Sequence, residues 1–412
     1  MHLTKQIHIN QNHPSFSDLD ELCFKCKNLY NQALWRIKNH YKTNKKILTY
    51  YDLDKQLKDE NQVDYRSLSN SVAQQTLKIL QQNINAYFAT LRSFKKTPSK
   101  FKGCPKFPKF LDKDRGRMVA QFTILGVKKI PLVKENKLSL TNLNHEFDLG
   151  LINLEHKDIQ QVRIVPRDQH FVIEIVHKVQ SDNPIVSDNK CGIDLGLNNL
   201  ATLGFNNTNC KPLIINGRDV KSINQYYNKK KSKIQSKLSK DKKRTSKRLK
   251  LLTIKRNNKI KDKLHKASKI ITNYLVKNNI SEVVIGQNKN WKSGINIGKR
   301  NSQNFVSVPH TRLIEMISYK CELKGIKVIT REESYTSKCS FLDNESIRKL
   351  KNYKGKRIKR GLFQSAKGTS YNADLNGALN ILRKELPSSF ELSNGDGIED
   401  LVVDPVKLNI PA

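Results

Sequence analysis

Two aspartates occupy sequence contexts in which a carboxylate could hold a divalent cation. Asp194 lies in Gly-Ile-Asp-Leu-Gly, whose apolar residues predict a buried strand. A carboxylate in such a strand is costly unless a cation or hydrogen bonds compensate its charge, although ATP-binding actin-like folds use similar strands. Asp374 lies in Asn-Ala-Asp-Leu-Asn-Gly-Ala-Leu-Asn, at the start of a predicted helix, where an acid is also common because of the helix dipole. Because the chain contains both acids, a shared catalytic or metal-binding role is favoured over a purely structural role for each.

The charge of the chain indicates a polyanionic partner. The 412 residues include 76 Lys and Arg but 37 Asp and Glu, which gives a formal charge of +39 at pH 7. A free monomer of this charge would repel itself, and nucleic acid is the usual partner that relieves such repulsion. Coding in an AT-rich genome would enrich Lys and Asn without function, but it does not explain the shortage of acids. We therefore expect nucleic-acid binding with a steep salt dependence.

A first basic segment, residues 94–110, interleaves lysines with phenylalanines. Its glycine and prolines, at 103, 105 and 108, exclude a helix. Lysines hold phosphates and aromatic rings stack on bases in proteins that bind single strands or structured RNA. The alternative is an ordinary basic loop anchored by phenylalanines of the core. The side chains predicted to bind nucleic acid are Lys95, Lys96, Lys100, Lys102, Lys106 and Lys109.

A second basic segment, residues 221–270, carries 20 Lys and Arg but two acids, Asp241 and Asp262. An apolar stripe beneath the charge predicts two antiparallel helices joined near residues 239–246. Such runs are usually a solvated face, but charges of one sign would repel each other without phosphates, which favours binding. The predicted contacts are Lys242, Lys243, Arg244, Lys247 and Arg248.

The elements that position these residues follow from the hydrophobic periodicity. Strands are predicted at residues 2–9, 161–165, 171–176, 191–194, 200–205, 282–285 and 326–330. Helices are predicted after an N-cap at Ser17, over 68–92, in the basic segment, over 313–321 with Gly325 at the C-terminus, and over 372–384. Strands alternating with helices predict an α/β layout.

The seven cysteines form no regular framework, which indicates a reducing compartment. Cys23 and Cys26 have the spacing of a metal-binding pair, but they fall within a predicted helix and lack a second pair, so core packing is favoured. No apolar stretch approaches the roughly 20 residues of a membrane span, and the N-terminus lacks the apolar core of a signal peptide. We expect a soluble, intracellular protein with no membrane partner.

The order of the motifs resembles the TnpB family, the transposon-associated ancestors of type V CRISPR effectors. The motifs are Gly-Ile-Asp-Leu-Gly, the basic hairpin, a Val-Val-Ile strand, Tyr-Thr-Ser-Lys-Cys at 335–339 and Ala-Asp-Leu-Asn-Gly-Ala-Leu-Asn-Ile-Leu. Together with a Gly-x-Pro-Lys-Phe loop at 103–107, the resemblance covers roughly residues 1–384. It implies a multidomain α/β fold with an RNase H-like RuvC nuclease domain, a β-barrel wedge domain and a helical recognition insert.

The resemblance also implies where these domains begin and end. The predicted boundaries are the wedge domain at 1–10 and 95–182, the helical insert at 11–94, the RuvC domain at 188–336 and 372–384, a target-nucleic-acid-binding insert at 337–371 and a flexible tail at 385–412.

The chain departs from the family at a catalytic glutamate. That residue usually follows the Val-Val-Ile strand, where this chain has Gly286 and Gln287. Some relatives instead supply a glutamate from the strand before the Thr-Ser-Lys motif, and here that strand ends in Arg-Glu-Glu-Ser-Tyr-Thr-Ser at 331–337, which includes Glu332 and Glu333. Neighbours in an extended strand point to opposite sides, so only one can face a metal. We predict Glu333, three residues before Thr336, with Glu332 as the fallback.

A second departure concerns zinc. The family usually has a four-cysteine zinc ribbon after Thr-Ser, but this chain keeps Cys339 and no cysteine after it. A lone thiol cannot form a structural zinc site, so no zinc is expected. The insert is predicted to touch the target through basic residues that include Lys356, Arg357, Lys359 and Arg360.

The resemblance implies an RNA-guided DNA endonuclease with the catalytic and metal-binding residues Asp194, Glu333 and Asp374. Two Mg²⁺ ions would serve phosphodiester hydrolysis. The implied partners are a guide RNA from the transposon end and a double-stranded DNA target with a short flanking motif, in a prokaryotic cytoplasm and associated with the nucleoid. The alternatives are a nuclease-inactive RNA-guided repressor of the same family and a transposase that joins DNA ends itself.

Overall fold

The computed structural model describes residues 1–150, 153–288, 298–393 and 399–411. The chain forms two compact units, Met1–Val179 and Gln180–Ala412. The first unit has one continuous apolar core, and the second has two core clusters on opposite faces of a sheet. The predicted mixed α/β, multidomain fold is confirmed.

The first unit combines helices with a four-stranded antiparallel sheet. Its helices are α1 (Phe16–Asn44), α2 (Tyr50–Asp59), α3 (Val63–Arg66), α4 (Asn70–Lys96) and α5 (Lys129–Glu135). Its strands are β1 (His2–Asn10), β2 (Ala120–Thr123), β3 (Lys137–Ser139), β4 (Glu146–Asp148), β5 (Ile159–Arg167) and β6 (His170–Lys178). The sheet has the order β1-β6-β5-β2, while β3 and β4 form a separate ribbon.

The strands predicted at residues 161–165 and 171–176 form a hairpin, because Arg167 and His170 pair across a two-residue turn. The helix predicted after Ser17 begins slightly earlier, at Phe16, with Ser15 at the N-cap. Helix α5 has no counterpart among the predicted helices. The periodicity of α5 is concealed because Ile130 and Val133 are 68% and 65% exposed.

Helix α1 places Cys23 and Cys26, two of the three cysteines of the first unit, in the apolar core. Cys23 and Cys26 are both 0% exposed and belong to the apolar core. Burial raises the pKa of both thiols, that of Cys26 to about 12, which disfavours the thiolate that a metal requires. Core packing, the favoured interpretation of this pair, therefore agrees with the structure.

The second unit is built on a six-stranded sheet. Its strands are β7 (Lys190–Asp194), β8 (Asn199–Phe205), β9 (Leu213–Asn216), β10 (Glu282–Gly286), β11 (Lys327–Arg331), β12 (Lys356–Lys359), β13 (Leu362–Gln364), β14 (Ser370–Asn372) and β15 (Val406–Leu408). Its helices are α6 (Arg218–Lys240), α7 (Lys247–Lys277), α8 (Lys299–Ser307), α9 (His310–Leu323) and α10 (Ala373–Glu385). The main sheet has the order β11-β10-β7-β8-β9-β15, and β12-β13-β14 form a smaller one.

The alternation of side chains along β7 assigns its residues to the two faces of the sheet. Cys191 and Ile193 belong to the core cluster shared with α7 and α9. Gly192 faces α10, because a Cβ on Gly192 would lie 2.1 Å from the carbonyl oxygen of Ala378. Asp194, two residues further on, therefore lies on the face that α10 covers.

The end of the chain belongs to the sheet. Strand β15 pairs in parallel with β9, with Val406 opposite Leu213, and Ile410 lies in the apolar core. For residues 399–411 the expected flexible tail is corrected, because short apolar runs among polar residues complete a sheet edge that only tertiary structure reveals.

The insert between β11 and α10 is held together by hydrogen bonds. The buried Glu345 carboxylate accepts from the backbone N–H groups of Ser340 and Lys354, each at 2.8 Å. Cys339 is fully buried, and its Sγ donates to the carbonyl oxygens of Ser346 and Arg348 at 3.5 and 3.8 Å. The thiol thus acts as a hydrogen-bond donor inside the insert.

No helix in the described ranges is long and apolar enough to span a membrane.

Candidate active site

Asp194 ends β7 at the junction between the sheet and α10. Gly377 allows the close approach of this helix, since a Cβ there would lie 2.8 Å from Asp194 Oδ2. Burial raises the pKa of Asp194 well above its usual value, and the charges of Asp374 and Glu333 raise it further, against smaller opposing effects of Arg357 and the Leu195 N–H. Asp194 is therefore the acid whose charge is destabilised by both other predicted site residues.

Asp374 is held in the first turn of α10. The Asn372 side chain caps the helix by accepting from the N–H groups of Asp374 and Leu375 at 2.9 and 3.1 Å. The two carboxylate oxygens of Asp374 accept from Asn199 Nδ2 at 2.8 Å and from an Arg357 guanidinium nitrogen at 3.2 Å. The ordinary role of a helix N-terminal acid thus coexists with contacts that fix the orientation of this carboxylate.

Glu333 lies in the turn after β11 and is held by Asn288. The Asn288 side chain donates to Glu333 Oε1 and accepts from the Glu333 backbone N–H, both at 3.1 Å. Burial and the neighbouring charge of Glu332 raise the pKa of Glu333 to about 7, while Lys384 opposes the shift. A carboxyl group with this pKa binds a proton readily near neutral pH unless a cation stabilises its charge.

Glu333 occupies space that the glycine at position 286 leaves open. A Cβ on Gly286 would lie 2.6 Å from Glu333 Oε2 and 2.6 Å from Ile381 Cδ1. Gly286 ends β10, the strand after which the TnpB family usually has its glutamate. The carboxylate of Glu333 therefore lies beside the position from which that glutamate would start.

Glu332 points elsewhere. Its carboxylate accepts from Lys384 Nζ at 2.9 Å and from the hydroxyl of Ser334, and it is exposed. The structure brings Glu333, and not Glu332, to Gly286 and Asn288.

The three carboxylates approach one another without forming a closed ligand shell. In the described part of the chain, no three acid, histidine or cysteine side chains converge on one point that could hold a metal ion. A further polar group faces Asp194: Thr202 pairs with it across β7 and β8, so both side chains lie on the same face. The Thr202 hydroxyl is buried and has no hydrogen-bond partner within the described residues. Oxygen donors with destabilised charges and an unsatisfied hydroxyl fit a hydrated hard cation.

Two asparagines of α10 were not predicted to matter. Asn376 and Asn380 are 0% exposed, and each donates to the carbonyl oxygens of Thr336 and Cys339. These bonds fix the Thr-Ser-Lys-Cys turn, which follows Glu333, to the helix that carries Asp374. The repeated asparagines at i and i+4 in Asp-Leu-Asn-Gly-Ala-Leu-Asn were the available signal, because that spacing places them on one helix face. Asn199 and Asn288 had no such signal.

The first basic segment, residues 94–110, combines the two alternatives that the sequence left open, an exposed basic surface and a loop anchored in the core. Its six predicted lysines are all exposed. Phe107 packs against the core and stacks edge-on with Tyr87. Phe110 is 47% exposed, with Lys38 Nζ 4.2 Å from its ring centre. Phe107 is thus an anchor, while Phe110 and the lysines form a free surface.

The basic residues predicted to bind nucleic acid in the second basic segment and in the insert are also exposed. Helices α6 and α7 are joined by residues 241–246, and Lys242, Lys243, Arg244, Lys247 and Arg248 all face solvent at this tip. The basic residues of the insert lie on or beside β12 and are likewise exposed. Arg357 differs from its neighbours because it reaches Asp374.

A sheet with an aspartate at the end of a central strand, packed under a helix that carries a second aspartate, is the arrangement of an RNase H-like RuvC nuclease fold. Residues 170–292 match the model of a family described as probable transposase, OrfB_IS605, and residues 310–381 match the Cas12f1-like TNB domain. These matches confirm the resemblance and are consistent with a TnpB-family protein.

One solved structure supports the fold. The chain is similar to a cryo-EM structure of the Cas12f1–sgRNA–target DNA complex, with 15% identity over 88% of this chain and 82% of that chain and a TM-score of 0.54. Two weaker similarities are to the mini-RNA-guided endonuclease CRISPR-Cas phi3, with 11% identity over 93% and 92% and a TM-score of 0.48, and to a CRISPR-Cas12f ternary complex, with 17% identity over 88% and 80% and a TM-score of 0.36. No curated protein matches the chain.

Proposed function

We propose that this chain is an RNA-guided DNA endonuclease that hydrolyses phosphodiester bonds in a guide-complementary target with the help of Mg²⁺. The observation that carries the proposal is the placement of the predicted acids near the ends of β7 and β10. Asp194 ends β7 beside Gly377 of α10, the helix that carries Asp374, and Glu333 fills the space beside Gly286 at the end of β10. Burial raises the pKa of Asp194, and the charges of Asp374 and Glu333 raise it further, so a bound cation would stabilise the ionised carboxylate.

The donor set determines which ion is expected. Carboxylate oxygens and water are the ligands that suit Mg²⁺. The thiols closest in sequence to Asp194 and Glu333, those of Cys191 and Cys339, are buried in the core and in the insert. Asp194, Glu333 and Asp374 would hold the ions. When bound, the ions would supply an activated water and stabilise the leaving oxygen.

The chain's own residues prepare the carboxylates for this role. Asn199 and Asn288 leave Asp374 and Glu333 few orientations, which lowers the entropy lost when ligands are ordered. Thr202 offers a hydroxyl beside Asp194 for a bound water or phosphate oxygen. Because burial raises the pKa of Glu333 to about 7, a nearby cation would keep this carboxylate fully ionised at neutral pH.

The proposed partners are a guide RNA from the transposon end and double-stranded DNA with a short flanking motif. Base pairing would read the sequence, and the protein would recognise duplex shape and the motif. The supporting observation is that the three basic groups remain exposed after folding. With the domain boundaries given above, the wedge and helical segments would bind the guide, the insert at 337–371 would touch the target, and the protein would act at the nucleoid.

A second candidate is a nuclease-inactive RNA-guided repressor. The observation that favours it is the contact between Arg357 and Asp374, because a cation of the chain itself already neutralises one candidate ligand. The retention of Asp194 and of space for Glu333 beside Gly286 favours cleavage.

A cleavage assay with the co-purified RNA tests the proposal. The RNA is sequenced, and a plasmid carrying its complementary target beside a randomised flank is incubated with the complex in Mg²⁺ or in EDTA. We expect cutting that requires Mg²⁺ and a subset of flanks. The matched variant Asp194→Asn, which removes charge but little volume, should lose at least 100-fold in rate and keep its RNA.

The outcomes separate the candidates. Binding of the target without cutting in Mg²⁺ would identify the repressor. Cutting by Asp194→Asn at the wild-type rate would remove Asp194 from the chemistry, and the absence of any co-purified RNA would reject RNA guidance.

A further inference from the structure

The basic helices α6 and α7 enclose a small pocket lined by aromatic and cationic side chains. It has a volume of about 240 Å³ and lies between the first half of α6 and the first half of α7. Its floor is apolar, formed by Ile223 and Leu252, both half-buried. Drug-sized ligands occupy pockets of roughly 300–1,000 Å³, so this one suits a smaller group such as a single base.

Two tyrosines shape the pocket. Tyr227 is fixed by a 3.0 Å hydrogen bond to the Thr253 hydroxyl, and the Arg256 guanidinium carbon lies 5.6 Å from its ring centre. Tyr226 is 61% exposed, with Lys230 Nζ 5.6 Å from its ring centre. One ring thus belongs to the wall, while the other offers a face to an incoming planar group.

The basic side chains of the pocket differ in whether hydrogen bonds to the protein already hold them. Arg256 is held by Asn224 Oδ1 at 2.6 and 2.8 Å and by the Ser307 carbonyl oxygen at 2.7 Å. Lys255 and Lys259 are exposed, lie one turn apart on α7, and form no ion pair with any described residue. Because no described lining residue is an acid, the two lysines are available to an external anion.

An aromatic face beside free cations is the chemistry of nucleotide recognition. Bases of every sequence stack on aromatic side chains, while lysines hold the adjacent phosphates. Paired bases inside a duplex present no such face, so only an unpaired nucleotide can enter.

We propose, on the basis of the nucleic-acid binding proposed above, that this pocket binds one unpaired nucleotide. Its base stacks on Tyr226, and its phosphates contact Lys255 and Lys259. The nucleotide comes from the guide RNA or from a single-stranded part of the DNA target. The pocket uses none of the three acidic site residues, so it is a binding site in its own right.

Short oligonucleotides test this proposal on the full chain after removal of co-purified RNA. The probes are fluorescein-labelled hexanucleotides with a central 2-aminopurine, in RNA and DNA form, and hexamers of the same backbone with an abasic site at every position. Wild type should quench 2-aminopurine, and Tyr226→Ala should bind the base-containing probes about 5-fold to 100-fold more weakly. Both proteins should bind the abasic probe within twofold of each other, and Tyr226→Phe should behave as wild type.

Matched controls separate stacking from general electrostatics. Tyr51→Ala removes another exposed tyrosine, 78% exposed, and should change nothing. Lys255→Gln combined with Lys259→Gln should reduce the salt slope of hexamer binding by about 1.4, the release expected for two single-strand phosphate contacts. Lys277→Gln, an exposed lysine at the end of α7, should leave the slope unchanged.

The results discriminate among the possibilities. A larger Tyr226 effect with RNA assigns the nucleotide to the guide, and a larger effect with DNA assigns it to the target. If Tyr226→Ala lost the same affinity for base-containing and abasic probes, or lost none, the proposed nucleotide site would be wrong. Failure of wild type to bind any hexamer would instead reject the nucleic-acid binding on which the pocket depends.

Discussion

Gly286 and Glu333 share one space: a Cβ on Gly286 would lie 2.6 Å from Glu333 Oε2. The glycine stands where the TnpB family usually has its glutamate, and Glu333 comes from the next strand of the sheet. Because β10 and β11 run parallel and end together, with Gly286 opposite Arg331, a side chain leaving the end of β11 can reach the space beside β10. A transfer of the catalytic glutamate from β10 to the end of β11, as proposed here, would therefore need no change of fold.

Replacing Gly286 with alanine should displace Glu333. No real Cβ approaches a carboxylate oxygen at this distance, and Ile381 blocks the other side. We expect Gly286→Ala to lower the rate of target cleavage by at least tenfold while RNA co-purification is kept, measured with the plasmid assay.

Glu333→Ala should abolish cleavage, and adding Gly286→Glu should restore part of it, since the carboxylate then starts from the neighbouring strand. Normal cutting by Gly286→Ala would disconnect position 333 from the chemistry.

The contribution of Glu333 to the stability of the metal-free protein should fall as the pH rises. Glu333 has a pKa of about 7 in the folded chain against 4.5 as a free side chain, so the folded state binds the extra proton between these values. This contribution to the free energy of unfolding is complete below about pH 4.5 and is lost as the pH passes 7. Its upper limit is roughly 3 kcal/mol.

Melting curves in EDTA from pH 5 to pH 8 measure this effect. Glu333→Gln should melt at a higher temperature than wild type at pH 8 and show a flatter pH profile. Mg²⁺ should stabilise wild type more than the variant. Parallel profiles for the two proteins would mean that Glu333 is as hydrated in the folded chain as in the unfolded one.

Removing the Arg357 charge should strengthen Mg²⁺ binding in the absence of nucleic acid. The guanidinium lies 3.2 Å from Asp374 Oδ1 and competes with a metal ion for this oxygen. The pair is partly exposed, and such pairs contribute up to about 1 kcal/mol, so Arg357→Gln should bind Mg²⁺ up to about fivefold more tightly in a thermal-shift titration.

Lys359→Gln is the matched control, because it removes one charge from the same strand and its side chain forms no ion pair with any described residue. Equal titration midpoints for the two variants would reduce Arg357 to part of the general positive charge of the insert.

The insert should be stable without zinc and should depend on Glu345. The buried carboxylate accepts from two backbone N–H groups, and Glu345→Ala would leave the buried N–H of Ser340 without a partner. We expect a loss of about 1–3 kcal/mol in unfolding free energy, measured by urea denaturation.

Glu345→Gln should lose less, since its amide oxygen still accepts one bond. Neither EDTA nor added Zn²⁺ should move the transition of the wild-type insert. A zinc-dependent increase in stability would show that Cys339 finds further ligands.

The tip of the basic hairpin should govern part of the salt dependence. Replacing Lys242, Lys243, Arg244, Lys247 and Arg248 together with Gln should reduce the slope of log affinity against log salt by up to about 4, measured with guide RNA. An unchanged slope would leave these residues as a solvated surface.

The sequence by itself determined the elements whose signals are local. The period of two along residues 191–194, the helical stripe under the charge of α7 and the apolar stripe of α10 each identify their element, because burial of one face imposes the spacing. The same local chemistry marked Asp194 as an acid in a buried strand and the lysines as exposed cations. The order of these motifs was enough to indicate the fold.

Only the tertiary structure decided which side chains share a space. Glu332 and Glu333 are adjacent and identical in type, and the choice between them depends on Gly286, Asn288 and Lys384, which are distant in sequence. The strand β15 and the partners Asn199 and Thr202 were likewise hidden, since a side chain that stabilises a distant carboxylate needs no local pattern. The local periodicity of a sequence shows which face of a helix or strand is buried. A functional site also depends on which of these elements pack together, and that is a property of the tertiary structure.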